Sequence, residues 1–243
     1  MDKPGSAVII GAGAAQGLGG ALVRRFASEG LHVIVAGRTE EKLSALVDTA
    51  QAAGGSATAC VADVTDEGDL DRLFAKAAEL GPLDAVLFNA GNNAIIPFEE
   101  LTAKTVEEFW RVGCLGAFLT AKRAIPLLKA RGCGSLFFTG ASGSLRGKAN
   151  FAHFAMMKGG LRMLAQSLAR EFGAHGVHIA HVVIDGVING DMAQSRFQEY
   201  LDRLGDDGSL DPNAIADAFW FLHKQPKSSW THELDLRPYK EVW

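Results

Sequence analysis

The sequence predicts an α/β fold built on a doubly wound parallel sheet with helices on both faces. Short apolar runs rich in β-branched residues alternate along the chain with segments whose apolar residues recur at helical spacing. A glycine-rich turn follows the first apolar run. Of the 243 residues, 48% are hydrophobic, which is enough to bury one large core. We therefore expect a single domain over residues 1–243.

The first apolar run, residues 7–10, leads directly into the glycine-rich turn. The glycines of this turn are Gly11, Gly13, Gly17 and Gly19. Apolar residues then recur at helical spacing from Leu18 to Phe26. A strand, turn and helix of this kind lets a pyrophosphate approach bare main chain, with the helix N-terminus directed at its negative charge. Taken alone, small residues here are also found where a strand and a helix simply pack tightly.

Five further apolar runs predict strands at residues 31–36, 57–62, 83–88, 136–139 and 177–184. Residues 233–236 alternate between polar and apolar as a final edge strand would. Helical periodicity predicts helices that begin near residue 39, contain residues 70–77, run from 105 to about 131, run from about 149 to 172, and begin at residue 212. Thr105 and Glu108 have the spacing of a capping box, and Pro126 is expected to bend the helix that follows. Residues 186–208 mix glycine, polar residues and two aromatics with weak periodicity, and form a candidate substrate lid.

Composition argues against several classes of protein. The formal charge is −4 and no basic run occurs, so no partner is expected among nucleic acids or membrane surfaces. No apolar run approaches 18 residues and no charged-then-apolar leader precedes the first strand, which favours a soluble, cytoplasmic protein. The three widely spaced cysteines, Cys60, Cys114 and Cys133, are expected to be buried, reduced thiols.

Over residues 6–237 the chain resembles the short-chain dehydrogenase/reductase (SDR) family. The family's TGxxxGxG turn is met by residues 12–19, its adenine-contacting acidic residue by Asp63 in Asp63-Val64, and its NNAG segment by residues 88–91. The resemblance implies a single-domain, Rossmann-like doubly wound parallel sheet of about seven strands, with a dinucleotide across the carboxyl ends of the strands. It also implies a homodimer or homotetramer. The aromatic and charged residues of 230–243 are expected to contribute to that contact, with a surface tail as the alternative.

By this resemblance the cofactor is a nicotinamide dinucleotide. The residues expected to bind it are Gly13, Gln16, Gly17, Leu18, Gly19, Arg38, Asp63, Val64, Asn89, Ala90, Gly91, Lys158 and Ile188. NAD binding usually places a carboxylate at the end of the second strand, whereas this chain has Gly37 and then Arg38 there. Because a guanidinium suits a 2′-phosphate, NADP(H) is preferred over NAD(H), with a solvated arginine as the alternative.

The resemblance breaks at the catalytic positions. The family uses an asparagine, a serine and a Tyr-xxx-Lys pair, and counting from Lys158 places these positions at Gly113, Ala141 and Phe154. Only the lysine remains. A phenylalanine keeps the ring but cannot donate the proton that a carbonyl oxygen needs as hydride arrives. The residues after the sixth strand also depart, with Asp185-Gly186 in place of Pro-Gly and Gly190 in place of a threonine.

Three residues are assigned to catalysis: Lys158, Asp185 and Ser142. Lys158 can hold the nicotinamide ribose, Asp185 is the first candidate for a substitute acid because a carboxyl in an apolar pocket can stay protonated, and Ser142 or Ser144 could bond a substrate oxygen. Each also has a structural interpretation, as a surface lysine, a turn-forming aspartate or a loop-stabilising serine. His153 is expected to turn away from Phe154.

No metal site is expected, because residues 178 and 181 of the His175-xx-His178-xx-His181 run should point to opposite faces of a strand.

Two functions remain open. The first is an atypical NADP(H)-linked oxidoreductase that acts on a small carbonyl or alcohol with a non-standard proton donor. The second is a catalytically silent NADP(H)-binding protein, a sensor or a silent subunit, which the loss of three catalytic residues favours. Non-redox chemistry in the same pocket, such as elimination or isomerisation, has no positive motif.

Overall fold

The computed structural model describes residues 4–241. Seven parallel strands form one sheet in the order β3-β2-β1-β4-β5-β6-β7. The strands are β1 (Ser6–Ile10), β2 (His32–Gly37), β3 (Ser56–Val61), β4 (Leu83–Phe88), β5 (Ser135–Thr139), β6 (His178–Ile184) and β7 (Glu233–Leu236). The predicted seven-stranded, doubly wound sheet is confirmed, with β7 at an edge. The strand order reverses beside β1, and a crevice forms outside the carboxyl ends of the strands at such a point.

Helices cover both faces of the sheet. They are α1 (Leu18–Ser28), α2 (Glu40–Ala52), α3 (Glu67–Leu80), α4 (Ala103–Trp110), α5 (Gly116–Arg131), α6 (Ala152–Phe172), α7 (Asp191–Leu204) and α8 (Pro212–His223). Helices α1, α2 and α8 share one apolar core with the sheet, while α3, α5 and α6 share a second core on the other side. This is the arrangement that right-handed crossovers produce.

Strand β1 lies at the centre because it is apolar on both sides. Its five residues are all buried. Ala7 and Ile9 join one core and Val8 and Ile10 join the other, as the two-residue period of a strand requires. The glycine-rich turn after β1 is therefore fixed at the middle of the crevice.

The helix predicted to run from residue 105 to 131 is interrupted. It begins earlier, because the Thr102 side chain caps α4 by accepting a hydrogen bond from the Thr105 amide at 3.1 Å. Thr105 is therefore inside the helix, and the predicted capping box is wrong. A π-helical segment, Arg111–Leu115, separates α4 from α5, and Pro126 lies within α5. Such wider turns are frequent at functional sites.

Two other sequence expectations need correction. Helix α6 begins at Ala152 rather than near 149, because Asn150 has a φ of 68° and cannot continue a right-handed helix. Cys114 is buried, but Cys60 and Cys133 are half-exposed; all three are free thiols.

The segment predicted as a lid contains α7, with a non-helical residue at Phe197. Within residues 4–241, no helix is both long and apolar enough to cross a membrane.

Candidate functional site

The turn between β1 and α1 leaves its main chain open. Gly11 has a φ of +85°, and a Cβ there would lie 2.5 Å from the Ala90 nitrogen, so no larger residue fits. At Gly13, in contrast, no atom lies within 4 Å of where a Cβ would stand. Gly17 precedes α1 and offers no side-chain cap to the first amides of that helix. The turn is shaped to receive an anionic group against bare backbone.

A first chamber of about 250 Å³ adjoins this turn. Its walls carry Gly13, Arg38, Thr39, Lys42, Asp63, Val64, Asn89, Ala90 and Gly91. Asp63 Oδ1 accepts hydrogen bonds from the amide and hydroxyl of Thr65, both at 2.8 Å, which fixes the carboxylate at the end of β3. Lys42 was missed by the sequence analysis. It lies on α2, which begins at Glu40, whereas Arg38 precedes that helix, so the spacing of the two residues gives no signal.

A second chamber of about 320 Å³ shares Asn89, Gly91 and Asn92 with the first. Its other walls include Ser142, Phe154, Lys158, Ile188, Met192 and Phe197. A third chamber of about 380 Å³ continues from it. The third chamber is lined by Ser142, Arg146, Lys148, Phe151, Phe154, Asp185 and Tyr200, among others. One cleft therefore runs along the carboxyl ends of the strands, from the glycine-rich turn past Lys158.

Lys158 is buried at the centre of this cleft. Its side chain is 6% exposed, and its Nζ donates a hydrogen bond to the Thr139 carbonyl at 2.8 Å. The same nitrogen lies 5.8 Å from the centroid of the Phe154 ring. Burial lowers the pKa of Lys158 from 10.5 to about 8, with the nearby Cys114 sulfur opposing the shift. The ammonium is thus held in place by one carbonyl and is destabilised by its surroundings.

Gly113 lies in the π-helical segment and is packed against Met157. A Cβ on Gly113 would stand 2.2 Å from the Met157 sulfur. Met157 is fully buried, and its carbonyl accepts a hydrogen bond from Cys114 Sγ at 3.1 Å. The methionine therefore fills the volume that a side chain at position 113 would need.

The loop after β5 contributes Ser142 to both the second and the third chamber. Ser144 bonds the Ala141 carbonyl at 2.6 Å, which is the loop-stabilising arrangement. Ala141 itself is buried and offers no polar group. Of the two serines considered in the sequence, Ser142 is the one that faces the cleft.

Asp185 is buried, with only 1% of its surface exposed, but it lies in an ion pair. Arg146 Nη2 donates to both of its carboxylate oxygens, at 2.8 and 3.0 Å. Arg237 Nη2 lies 3.8 Å from the same group. The apolar pocket imagined from the sequence is thus replaced by two guanidinium groups, so Asp185 is an acceptor that fixes Arg146. This contact does not favour Asp185 as a proton donor.

The start of α7 is attached to the glycine-rich turn. The Gln16 amide donates to Asp191 Oδ2 at 3.0 Å. A Cβ on Gly190 would lie 2.7 Å from the Gln16 carbonyl, which explains why the residue there has no side chain. Gln16, expected to contact a cofactor, therefore has its amide occupied by a carboxylate of the same chain.

The histidines lie in separate environments. His153 is buried against Phe109, with ring centroids 4.4 Å apart, rather than in the cleft. His178 stacks on Trp230, and His181 Nδ1 bonds Glu233 at 3.1 Å. Within residues 4–241, no three His, Cys, Asp or Glu side chains form a group that could hold a metal ion.

Comparison with known proteins agrees with this geometry. Residues 7–201 match the family described as short chain dehydrogenase. A short-chain dehydrogenase of Rhodopseudomonas palustris is 36% identical, with a TM-score of 0.83 over 97% of this chain and 99% of that one. A metagenomic short-chain oxidoreductase solved with NADP is 25% identical, with a TM-score of 0.82 over 97% and 98% of the two chains.

Among curated proteins, the oxidoreductase asL5 of Sarocladium schorii is 34% identical over 168 residues, 69% of this chain and 66% of that protein. The uncharacterised oxidoreductase YuxG of Bacillus subtilis is 35% identical over 73% of this chain, which spans only 26% of YuxG. The matched regions therefore cover less than two thirds of these two relatives. With the family match over residues 7–201, the open glycine-rich turn and the parallel sheet in its observed order, the chain belongs to the short-chain dehydrogenase/reductase family.

Proposed function

We propose that the protein is an atypical NADP(H)-linked oxidoreductase that transfers hydride to or from a small carbonyl or alcohol, using a non-standard proton donor. The observation that carries this proposal is the continuous cleft from the open turn at Gly13 to the buried ammonium of Lys158. When bound, the nicotinamide would supply or accept the hydride. A panel of aldehydes, ketones and alcohols, followed by NADPH absorbance, tests the activity.

The residues of the cleft fit a dinucleotide. The main chain at Gly13, Gly17 and Leu18, with Gly19 packed behind it, would hold the pyrophosphate. Asp63 and Val64 would contact the adenine, and the 89–91 segment would line the path between the two halves. Lys158 would bind the nicotinamide ribose, and Ile188 would pack on the ring. The open space at Gly13 supports this assignment. A Cβ built on Gly13 would meet no other part of the described chain within 4 Å.

Arg38→Ala is expected to weaken NADPH binding by about 10-fold to 100-fold, because a hydrogen bond to a charged group contributes about 1.5–3 kcal/mol. Both Arg38 and Lys42 line the first chamber, which supports the proposal that they bind a 2′-phosphate. Fluorescence titration with NADPH and NADH measures the effect, and NADH affinity should stay unchanged. Lys104→Ala, on exposed α4, controls for net charge. An equal loss of affinity for NADPH and NADH would show that Arg38 does not bind the 2′-phosphate.

Asp191→Asn is expected to tighten NADPH binding by about 3-fold to 10-fold, since the carboxylate stands at the amide of Gln16 beside the anion-binding turn. The asparagine keeps the size of the side chain but removes the charge that repels a pyrophosphate. Calorimetric titration at low salt gives the affinity, with Asp207→Asn as the control on an exposed turn. Weaker binding by the Asp191 variant would mean that the contact helps to build the site.

Among the catalytic assignments, we retain Lys158 and Ser142 at the substrate end of the cleft. Asp185 is proposed instead to hold Arg146 at the wall of the third chamber. Arg146 would then orient a polar group of the substrate.

The alternative function, a silent NADP(H)-binding protein, is favoured by the packing of Met157 into the space at Gly113. Under this alternative, NADPH binds but no member of the panel is reduced. Measurable turnover by the native chain would exclude it.

We also propose a homodimer or homotetramer. Large apolar side chains remain exposed on the neighbouring helices α4, α5 and α6, namely Trp110, Phe118, Met156 and Met163. Of the tail expected to contribute, residues 242–243 lie outside the described residues. Mass measurement in solution by light scattering tests the proposal. A cytoplasmic location also stays a prediction.

A further inference from the structure

We propose that Lys158 itself is the proton donor of this site, passing its proton to the substrate oxygen through one water molecule that stands where a phenol is absent. The inference rests on the proposed function and names the donor that it leaves open.

The position of Lys158 beside Phe154 supports this inference. Lys158 and Phe154 are one helical turn apart on α6, and both line the second chamber. The nitrogen lies 5.8 Å from the centre of the ring, so the ammonium and the ring border the same part of this chamber. Transfer through one water is an accepted path for general acid catalysis, and it does not require Lys158 to touch the substrate.

The Lys158 ammonium has N–H donors that the described chain does not use. A lysine carries three N–H donors, and among the described residues the hydrogen bond to the Thr139 carbonyl uses one. This bond fixes the nitrogen at the end of β5. Two donors then remain for a cofactor ribose and for a water molecule.

The surroundings of Lys158 make it a better acid than a free lysine. Cys114 faces it from the π-helical segment, and His181 faces it from β6. Burial lowers the pKa of His181 to about 4, so this imidazole is neutral at pH 7, and it is bonded to Glu233 on β7, which in turn pairs with Arg162 on α6. Within residues 4–241 no carboxylate forms a salt bridge with Lys158. Its pKa of about 8 lies closer to neutrality than that of a phenol.

The other polar groups of the cleft are less suitable. Both oxygens of Asp185 accept hydrogen bonds from Arg146. The Ser142 hydroxyl can bond a substrate oxygen but is a very weak acid, and His153 packs against Phe109. Tyr200 and Lys148 line the third chamber and not the second. Among the polar groups that line the second chamber, Lys158 lies beside the Phe154 ring and can release a proton near neutral pH.

Reduction of a carbonyl compound in this cleft requires a hydride at the carbon and a proton at the oxygen. When bound, NADPH would supply a hydride to the carbonyl carbon, and the C=O π electrons would move to the oxygen. The water gives a proton to this oxygen and takes one from Lys158 Nζ. The carbonyl compound is reduced to an alcohol, the dihydronicotinamide is oxidised, and the neutral amine regains a proton from solvent through the cleft.

The experiment compares the native chain with Lys158→Arg and with the surface control Lys104→Arg. NADPH oxidation is followed from pH 6 to 10 with 2,3-butanedione and the rest of the carbonyl panel. A guanidinium keeps the charge but does not release a proton, so kcat should fall by about 100-fold or more while NADPH affinity changes by less than about 5-fold. For the native chain, kcat should fall above about pH 8, because only the protonated lysine donates. NMR of 13Cε-labelled lysine, assigned by the signal that Lys158→Arg removes, reports the titration without turnover.

The outcomes separate the two proposals. If Lys158→Arg keeps native kcat, or if the native profile stays flat to pH 10, the inference is overturned while the oxidoreductase proposal stands. A Lys158 signal that titrates near the value of free lysine overturns the inference as well. If the native chain binds NADPH but reduces nothing, the proposed function fails and this inference fails with it. The inference is supported if kcat falls in Lys158→Arg but not in Lys104→Arg, and if kcat of the native chain falls above about pH 8.

Discussion

Phe154→Tyr, combined with Gly113→Asn, Ala141→Ser and Met157→Ala, is expected to raise kcat for NADPH-dependent reduction of 2,3-butanedione by about 100-fold or more. The tyrosine would supply a directly placed phenol, and a positioned general acid contributes about 10²–10⁴ in rate. The serine and asparagine would restore two further hydrogen-bonding groups beside it. The readout is NADPH absorbance at saturating coenzyme.

The fourth substitution in this set follows from the packing. Gly113→Asn alone would drive its Cβ to 2.2 Å from the Met157 sulfur, and overpacking of this kind costs about 1–3 kcal/mol. Met157→Ala opens the required space. Phe221→Tyr, on the exposed side of α8, controls for the addition of a phenol elsewhere. If the quadruple variant is folded and binds NADPH but gains no activity, then positions 113, 141 and 154 are not the catalytic positions of this site.

Gly13→Val is expected to weaken NADPH binding by at least about 100-fold without a change in thermal stability. The valine side chain would meet no atom of the protein within 4 Å of its Cβ, so the fold should accept it. It would instead stand in the space where the pyrophosphate must approach the main chain. Calorimetry gives the affinity and differential scanning fluorimetry gives the melting temperature.

Gly173→Val is the matched control, since a Cβ there also meets nothing within 4 Å and the residue lies at the far end of α6. This variant should bind NADPH as the native chain does. Native affinity in Gly13→Val would show that no cofactor lies against the turn.

The sequence was sufficient to predict the sheet and the turn because both follow from local patterns. The apolar run of residues 7–10 predicts a central parallel strand, and the glycines that follow it predict an open turn.

The features of the candidate site that the sequence did not predict depend on contacts between residues far apart in the chain. The bond between Arg146 and Asp185 joins residues 39 positions apart, and it changes the aspartate from a candidate acid into an acceptor. The bond between Gln16 and Asp191 spans 175 positions. Neither residue pair has a local signature, so tertiary packing alone decides them. The start of α4 was misjudged for a different reason, since Thr102 and Thr105 both offer a hydroxyl and only the backbone shows which one caps.

Met157 and Cys114 pack together beside Gly113 and Lys158. Met157 occupies the space at Gly113, Cys114 bonds the Met157 carbonyl, and both lie within one turn of Lys158 or on the segment facing it.

Isothermal titration of the native chain with NADPH tests the central claim most directly. The account predicts a saturable signal with one site per chain and a dissociation constant below about 100 µM, in the range usual for enzyme ligands. Absence of heat at millimolar NADPH and NADH would contradict it.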